Sequence, residues 1–554
     1  MSRELTRRDG IGLAIEISPV RALIRDPVLT RAGTALALYR LAEFGPWIAI
    51  LVFAYAHGGA TATGLVSLGL LVPTALAAPV GGPVIDRYGA GRVLVAGYAA
   101  QALAMGATAA SMLAGAPPLV CYLLGAATAT VLTVTHPAHA VMSPAIARTT
   151  EQLVALNALT GWILSVGLVA APAMAGVIMS VASPGAVYAA GALCLTASAA
   201  LVLPLRALAP PVARTPDDAS RLDAVRELRE ATRAIVKGGP VTEVMLLLVA
   251  TFVTVGAFDV LAVTLAVGVL DLGGSGAAYL AALYGAGAVL GTAASVRLVG
   301  RARIVPILLP TTCAGGAIFI VLGVAVSLVP AVLAAVLGGA ARGLLEVCAI
   351  TLLQRVTPTA LLARMLAFKE GLTMAAWGLG SILVPALIAL GGVSAALIGI
   401  GAIAPLVVLT RLGRLLLIDA AATVPVVAIA LLRSMRLFRA LPAFELEAIA
   451  RAGTDRSVSA GTRLVTQGEH SDGYFAIADG VVEVTCDGRR VRTLGRGEGF
   501  GEVGLLRNVE RTASVTAITD AVLLSVERGA FIIAVTGHPE SLKQADAMID
   551  ELVY

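Results

Sequence analysis

The chain has 554 residues, of which 58% are hydrophobic and only 14% are charged. Soluble domains carry charge on roughly a quarter of their residues, so this composition excludes a soluble globular protein and predicts a polytopic membrane protein. The formal net charge of +5 is concentrated in the connections between apolar segments. That placement favours contact with the headgroups of membrane lipid, and no binding of nucleic acid is expected.

The first 30 residues contain several arginines around a short apolar run that Glu16 interrupts. This run is too short and too interrupted for the apolar core of a signal peptide, so residues 1–30 are predicted to form an amphipathic cytoplasmic tail. The five cysteines show neither paired nor metal-ligand spacing. No disulfide framework and no metal site are therefore expected.

Apolar runs long enough to cross roughly 30 Å of hydrocarbon predict the membrane-spanning helices. They begin near residues 34, 63, 92, 117, 150 and 184, and then near 241, 275, 303, 329, 365 and 394. The pattern predicts two halves of six spans, at 31–206 and 240–415, separated by a loop at 207–239. The predicted fold class is thus a polytopic α-helical membrane protein with twelve transmembrane helices.

The connections between these runs alternate in charge. Connections such as HGGATA and AGAPP contain no Lys or Arg, whereas the alternate ones are basic, and the gap at 206–237 is the most basic. By the positive-inside rule, both termini and the central loop face the cytoplasm. The predicted location is the inner (plasma) membrane of a bacterium.

Two segments, ALNALTGWILSVGLVAAP and AFKEGLTMAAWGLGSILVP, superimpose with a constant shift of 213 residues. The matched pairs are Thr160 with Thr373, Gly167 with Gly380, and Pro172 with Pro385. Matches at one offset in equivalent spans favour duplication. The two halves are therefore predicted to be parallel repeats related by an axis along the membrane normal.

The connection after the second run reads GPVIDRYGAGR, residues 82–92. It resembles the signature loop of the major facilitator superfamily, and the resemblance extends from residue 30 to about 415. It implies a secondary transporter in which this gating loop closes the cytoplasmic ends of the helices through a charge network. The gating-loop residues would be Gly82, Asp86, Arg87, Gly89 and Arg92.

A second pattern, GLVAAPAMAG at 167–176, is similar to the fifth-span motif of proton-driven exporters. The alternative is an ordinary interface of small residues between helices.

Ionisable groups inside predicted spans are costly and are therefore candidates for function. In the fold that the chain resembles, spans one, four, seven and ten line the central cavity, and all four carry such groups here. Glu43 and Asp259 are the first candidates for loading and releasing a proton, and Glu346 is the third. Arg40 and His136 complete the candidate set.

Each of these groups has a structural alternative except Asp259. Arg40 and Glu43 are spaced i, i+3 and could neutralise each other, and Glu346 could pair with Arg342 at i, i+4. His136 precedes a proline, so a structural histidine is as good a reading as a proton relay. With an aromatic content of only 4%, no aromatic cage for a cation is evident. An apolar cavity with a few acids would suit amphipathic or cationic compounds, and the predicted substrate is a small amphipathic molecule.

After residue 415 the apolar run contains Asp419 and Pro425 and is followed by three arginines. We interpret residues 416–440 as a coupling linker or interfacial helix, since a thirteenth span would move the tail outside. From residue 441 onwards, short alternating runs such as YFAIADG and VVEVTCDG end in Gly or Asp. They predict a small cytoplasmic β-roll at 441–554.

The stretch GFGEVGLLRNVERTASV, residues 499–515, combines groups that suit a ribose cyclic phosphate. Gly501 lets the backbone approach a ligand, and Glu502 can accept a hydrogen bond from a sugar hydroxyl. The helical turn that follows can direct N–H groups at an anion. Arg511 and Thr512 supply a cation and a hydroxyl for phosphate oxygens.

This stretch closely resembles the phosphate-binding cassette of cyclic-nucleotide-binding domains. The resemblance implies that Gly501 and Glu502 hold the ribose and that Arg511, Thr512 and the Ala513 backbone hold the phosphate. Base or sugar contacts would come from Val484, Leu494 and Val503. The alternative is a relic that serves only for packing.

Base selectivity is left open by the short final helix, in which Met548, Leu552 or Tyr554 would cap the base. We favour cAMP over cGMP as the ligand because cAMP is the commoner bacterial messenger.

Together these patterns predict a secondary active transporter, with proton-coupled efflux regulated by a cytosolic cyclic nucleotide. No nucleophile–base constellation is evident, so an enzyme is not expected. The alternatives are a non-transporting receptor for cyclic nucleotide and a constitutive transporter with a structural tail. A nucleotide-gated channel fits poorly, since the sequence has no TVGYG-type filter.

Overall fold

The computed structural model describes most of the chain. The described residues are 26–147, 150–207, 238–295, 303–357, 359–421, 426–439, 441, 443–507, 509–536, 541 and 544–545. Most of the predicted tail at 1–30, most of the loop at 207–239 and the proposed base-capping residues therefore lie outside the described residues. Within the described part, ten helices are long and apolar enough to cross a membrane.

Five of these helices form the N-terminal half. They are α1 (Pro27–Tyr88), α2 (Ala90–Leu113), α3 (Pro118–Ile146), α4 (Thr150–Val181) and α5 (Pro184–Val202), and a short 3-10 turn follows at Leu203–Leu205. Helix α1 begins where the Asp26 side chain accepts a hydrogen bond from the N–H of Val28 at 2.9 Å. A proline in the first turn of α1 has no N–H to leave unsatisfied. The capping Asp26 and this proline are therefore two sequence signals for the start of the helix.

The other five helices form the C-terminal half. They are α6 (Pro240–Gly268), α7 (Gly273–Ser295), α8 (Val305–Val324), α9 (Leu328–Val356) and α10 (Thr359–Ala421). The starts of α3, α4, α5 and α6 agree with the apolar runs predicted near 117, 150, 184 and 241.

Helices α1 and α10 contain 62 and 63 residues, about three times the roughly 20 residues that a single crossing needs. Each is interrupted by a pair of glycines with non-helical backbone, Gly58–Gly59 in α1 and Gly391–Gly392 in α10. Gly59 and Gly392 have φ values of +62° and +76°, a region that glycine adopts readily and other residues avoid. Each long helix is thus two helical segments joined at a glycine pair.

The two halves contact each other along α1 with α10 and along α4 with α7. Ser67 of α1 and Ser381 of α10 share a hydrogen bond of 2.9 Å between their hydroxyl oxygens. Gly64 lies so close to α10 that a Cβ there would be 2.5 Å from the Ser381 carbonyl oxygen, and Gly176 of α4 packs on Tyr279 of α7. Small residues at these points allow the backbones to approach, as helix association in a membrane requires.

The C-terminal domain is a β-roll of two antiparallel four-stranded sheets. The first sheet has the order β1-β8-β3-β6 and the second the order β2-β7-β4-β5. The strands are β1 (Thr454–Val458), β2 (Arg463–Val465), β3 (Gly473–Asp479), β4 (Val482–Cys486), β5 (Arg489–Leu494), β6 (Gly499–Phe500), β7 (Ser514–Ala517) and β8 (Ala521–Glu527). The alternating runs in the sequence correctly predicted these short strands.

Four short helices pack on the roll: α11 (Val426–Ser434), α12 (Ala443–Ala452), α13 (Glu502–Leu506) and α14 (Arg528–Thr536). Tyr474 of β3 stacks on Phe531 of α14 with ring centroids 4.7 Å apart, and Phe438 meets both rings edge-on. All three rings are buried. This aromatic cluster attaches the segment before the roll to the roll itself.

Helix α10 runs through Asp419, which the sequence had suggested as an interruption of the apolar segment. Asp419 is 2% exposed, and its carboxylate accepts hydrogen bonds from the N–H groups of Ile304 and Val305 at 2.9–3.1 Å. These N–H groups lie at the start of α8, where an acceptor and a negative charge are stabilising. Asp419 thus fixes the end of α10 to α8, and the helix continues beyond residue 415.

Candidate nucleotide site and transport cavity

Gly501 allows an arginine to lie directly beside the backbone. Its φ is +102°, and a Cβ at this position would be 2.5 Å from Nη1 of Arg511 and 2.8 Å from the carbonyl oxygen of Gly473. Both the backbone conformation and the space therefore require glycine. Gly501 precedes α13, so it also sets the direction in which Glu502 enters the domain.

Glu502 is buried and has a carboxylate oxygen without a hydrogen-bond partner among the described residues. Its side chain is 2% exposed, and this oxygen is Oε2. Burial raises the pKa of the Glu502 carboxyl above its usual range, against the opposing effect of the Arg492 and Arg511 guanidinium groups. A buried acceptor without a partner is costly, and a ligand hydroxyl would satisfy it.

Arg511 is the matching donor. It is 5% exposed, and its Nη2 donates to the Asp472 carboxylate at 2.7 Å and to the Gly473 carbonyl at 2.9 Å. Its guanidinium lies 5.8 Å from the centroid of the Phe475 ring. Nη1 has no hydrogen-bond partner in the described part of the chain. The structure thus places an unsatisfied acceptor and an unsatisfied guanidinium donor in one small site, which fits a ligand with both hydroxyls and an anionic group.

The other predicted nucleotide residues divide into two groups. Val484 and Leu494 are 8% and 3% exposed and pack in the core of the roll, so they contact the domain interior. Val503 and Ala513 are partly exposed and Thr512 is exposed, beside Arg511.

Two further charged residues of this site were not predicted from the sequence. Asp472 forms an ion pair with Arg511, and Arg492 is within electrostatic range of Glu502. Asp472 lies in an irregular segment immediately before β3, and Arg492 is one of three arginines in β5. No spacing distinguished either residue.

Asp259 of α6 accepts hydrogen bonds from two tryptophans on other helices. Nε1 of Trp47 in α1 and Nε1 of Trp377 in α10 donate to its Oδ2 at 3.0 and 2.9 Å. The two indole rings meet edge-on, with centroids 5.6 Å apart. Two of the three tryptophans in the chain therefore donate hydrogen bonds to this carboxylate.

The candidates in spans one and four form a second cluster. Arg40 is 4% exposed and forms an ion pair with Glu43 in the same helix. His136 of α3 is exposed, with its Nε2 atom 3.5 Å from Nη2 of Arg40. It is also within electrostatic range of Glu43 and of Glu370 in α10, a residue that no sequence pattern had indicated. The pairing of Arg40 with Glu43 is thus present, and it also faces His136.

Glu346 pairs with Arg342 in α9 at 3.4 Å, and both side chains are half-buried. The Arg342 guanidinium lies 5.8 Å from the centroid of the Phe252 ring and within electrostatic range of Asp259. The C-terminal half therefore brings Asp259, Arg342 and Glu346 into one electrostatic group. The hydrogen bond from Trp47 connects this group to the N-terminal half.

The predicted gating loop is helical up to Tyr88. Helix α1 includes Gly82, Asp86 and Arg87, and the chain turns into α2 through Gly89 alone, whose φ is +85°. The N–H of Gly89 donates to the carbonyl of Ile85 at 2.7 Å. Arg92 is exposed in the first turn of α2.

Comparison with known protein families identifies both parts of the molecule. The family model described as Major Facilitator Superfamily matches residues 32–360, more than half of the chain. The chain belongs to the Major Facilitator Superfamily. A second model, described as Cyclic nucleotide-binding domain, matches residues 455–536. This Major Facilitator Superfamily protein therefore carries a cyclic nucleotide-binding domain C-terminal to its transporter domain.

Individual relatives match the C-terminal domain. The cAMP-dependent protein kinase regulatory subunit of Yarrowia lipolytica is 35% identical over 77 residues, which cover 14% of this chain and 20% of that protein. The cGMP-dependent 3',5'-cGMP phosphodiesterase A of Dictyostelium discoideum is 30% identical over 113 residues, covering 20% of this chain and 13% of that protein. The chain thus spans a fifth or less of the length of these curated relatives.

A solved structure also matches. The regulatory domain of Toxoplasma gondii PKA with cAMP is 26% identical, covering 23% of this chain and 50% of that one, with a TM-score of 0.21.

Proposed function

We propose that the protein is a secondary active transporter whose activity is regulated by a cyclic nucleotide bound to its C-terminal domain. The observation that carries this proposal is the pair of buried groups Glu502 and Arg511, each with one polar atom that lacks a partner in the described part of the chain. A domain kept only for packing would gain stability by replacing both groups. Their retention in the binding geometry supports a ligand with ribose hydroxyls and a phosphate, and the protein itself is not proposed to be an enzyme.

We propose that the transporter domain crosses the membrane twelve times. The glycine pairs in α1 and α10 divide each of these long helices into two crossings. The charge alternation of the connections supports a cytoplasmic location for both termini and therefore for the nucleotide domain, in the inner membrane of a bacterium.

The site around Asp259 supports proton-coupled efflux of a small amphipathic molecule. In the ionised form, the Asp259 carboxylate accepts both indole N–H groups, and the bond from Trp47 holds the two halves together at this point. Protonation removes the negative charge that strengthens these bonds. Loading a proton would thus loosen the contact between Trp47 and Asp259 and favour separation of the halves there.

We favour cAMP over cGMP as the regulator. Relatives of the C-terminal domain include both cAMP-dependent and cGMP-dependent proteins. Both groups match with 30–35% identity, so the preference for cAMP rests on its being the commoner bacterial messenger.

The test of this proposal is calorimetry on the full-length protein in detergent, titrated with cAMP and with cGMP. Binding by wild type and loss of binding by Arg511→Ala are expected. Absence of binding by wild type to both nucleotides would contradict the proposal. Arg489→Ala is a suitable control, because Arg489 lies exposed at the start of β5.

A further inference from the structure

A buried ion pair joins the transporter domain to the nucleotide domain. Arg355, in the last turn of α9, donates from Nε and Nη2 to the two carboxylate oxygens of Glu447 in α12, at 2.7 and 2.8 Å. The two side chains are only 1% and 6% exposed. Because a guanidinium and a carboxylate paired through two parallel bonds fix both distance and orientation, this contact positions α12 against α9.

Helix α12 reaches the nucleotide site through a single packed core. Leu446 and Ile449, on either side of Glu447, are buried in the same cluster as Leu505. Leu505 belongs to α13, the five-residue helix that begins with Glu502. Close-packed side chains are not easily compressed, so a displacement of one packed helix displaces its neighbour. A shift of Glu502 towards a ligand would therefore move α12.

Helix α9 reaches the transport cavity from the same contact. Arg342 and Glu346 precede Arg355 by 13 and nine residues in one uninterrupted helix. At 1.5 Å per residue, Arg342 is about 20 Å from Arg355 along the helix. Since Arg342 is within electrostatic range of Asp259, one rigid element connects the ion pair to the proposed proton site.

The nucleotide domain also touches the other half of the transporter. Helix α14 lies against α4, while Glu447 holds α9 of the C-terminal half. A domain that contacts both halves can change their separation at this end of the bundle, which a covalent tether from α10 alone could not do.

We propose that the pair Arg355–Glu447 is the joint through which nucleotide occupancy biases the conformation of the transport cavity. This inference rests on the proposed function, since it assumes that the domain binds a cyclic nucleotide. Coupling free energies are reciprocal, so a joint that transmits nucleotide binding to α9 must also let α9 affect nucleotide affinity. Breaking the joint on the transporter side should therefore change the Kd of a site in another domain.

The experiment measures the Kd of cAMP and cGMP for the full-length protein by calorimetry, in wild type, Arg355→Met and Arg355→Lys. Methionine keeps an unbranched apolar stem and removes the charge. Arg451, which pairs with Glu447 at 3.1 Å in wild type, remains as a partner for the carboxylate and should preserve the fold of the nucleotide domain. We expect Arg355→Met to change the Kd about fivefold or more, within the usual range of allosteric coupling. Arg355→Lys, which keeps the charge, should change it less.

Arg414→Met is the control for the loss of an arginine charge elsewhere in the transporter domain. Arg414 pairs with Glu243 at 2.8 Å inside the transporter domain, so its loss should leave the nucleotide Kd unchanged. Glu447→Gln, which weakens the joint from the other side, should change the Kd in the same direction as Arg355→Met.

The outcomes separate the two proposals. If wild type binds nucleotide and Arg355→Met has the same Kd within about twofold, the joint is refuted and the nucleotide site stands. An equal change in the Kd of Arg414→Met would also refute it, because the change would then follow from the loss of any ion pair in the transporter domain. If wild type binds neither nucleotide, the proposed function fails and the joint fails with it.

Discussion

Trp47 of α1 donates its indole N–H to the carboxylate of Asp259 in α6 at 3.0 Å, and this hydrogen bond crosses between the two halves of the transporter domain. Trp377 donates to the same oxygen from within the C-terminal half. A carboxylate in a membrane-spanning helix is costly unless it is paired or can take up a proton. The two indoles stabilise its charged form, and the bond from Trp47 makes the contact between the halves depend on that charge.

Asp259→Asn should abolish the pH dependence of transport, since an amide does not take up a proton near neutral pH. Trp47→Phe should keep a titrating group but weaken the contact between the halves, so the pH profile should shift without becoming flat. Both are measured as initial rates in proteoliposomes over a series of pH gradients, with ethidium as the probe. Trp162→Phe is the control, because Trp162 is 56% exposed on α4. A pH-dependent rate in Asp259→Asn would show that another residue couples proton uptake to transport.

Arg511→Ala should weaken nucleotide binding more than Glu502→Ala does. Loss of the guanidinium leaves the phosphate charge without its partner, whereas loss of Glu502 removes hydrogen bonds to neutral hydroxyls. A hydrogen bond to a charged group contributes about 1.5–3 kcal/mol, which corresponds to roughly tenfold or more in Kd. Calorimetry on the full-length variants checks the order, and a larger effect for Glu502→Ala would contradict it.

Gly501→Ala should impair both folding and binding in the nucleotide domain. The positive φ of +102° is strained for alanine, and the added Cβ would displace Nη1 of Arg511. We expect a loss of about 1–2 kcal/mol of stability, together with weaker nucleotide binding. The control is Gly529→Ala, a helical position with open space around it. Thermal unfolding checks the stability of both variants, and equal effects would argue against the strain at Gly501.

Glu502→Gln should stabilise the domain at neutral pH while weakening nucleotide binding. Because the pKa of Glu502 is raised in the folded protein, the protonated carboxyl contributes stability at low pH that is lost as the pH rises through the folded-state pKa. At about pH 7.5 the buried charge is therefore a net cost, and its removal should gain on the order of 1 kcal/mol.

The gain from Glu502→Gln should vanish at acidic pH, where wild type is protonated as well. Thermal unfolding of the full-length variant across a pH series measures this. A destabilising effect at neutral pH would mean that the charge is already compensated inside the protein.

The sequence predicted the apolar helices and the strands of the roll, and it indicated one candidate site, because these depend on local patterns. The bilayer imposes a minimum length on apolar helices, so their starts could be read directly, and alternation gave the strands of the roll. The nine-residue spacing between Glu502 and Arg511 lies in one continuous motif.

Contacts between distant helices could not be predicted in this way. Trp47 and Asp259 are 212 residues apart, and Arg355 and Glu447 are 92 residues apart. No local period relates such residues, and only the packing of the helices brings them together. The capping of α8 by Asp419 was missed for the same reason, because a charge in an apolar run looks like an interruption until its partner is known.

The proposed regulation requires that a nucleotide bound at Glu502 and Arg511 changes the conformation of the transporter domain. The most direct test is amide hydrogen exchange of the full-length protein in lipid nanodiscs, with and without cAMP or cGMP, followed by mass spectrometry of peptides from α9, Leu328–Val356. We predict that nucleotide alters exchange in the end of α9 near Arg355 in wild type and leaves it unchanged in Arg511→Ala. Nucleotide-dependent exchange confined to the β-roll, with α9 unaffected in wild type, would contradict it.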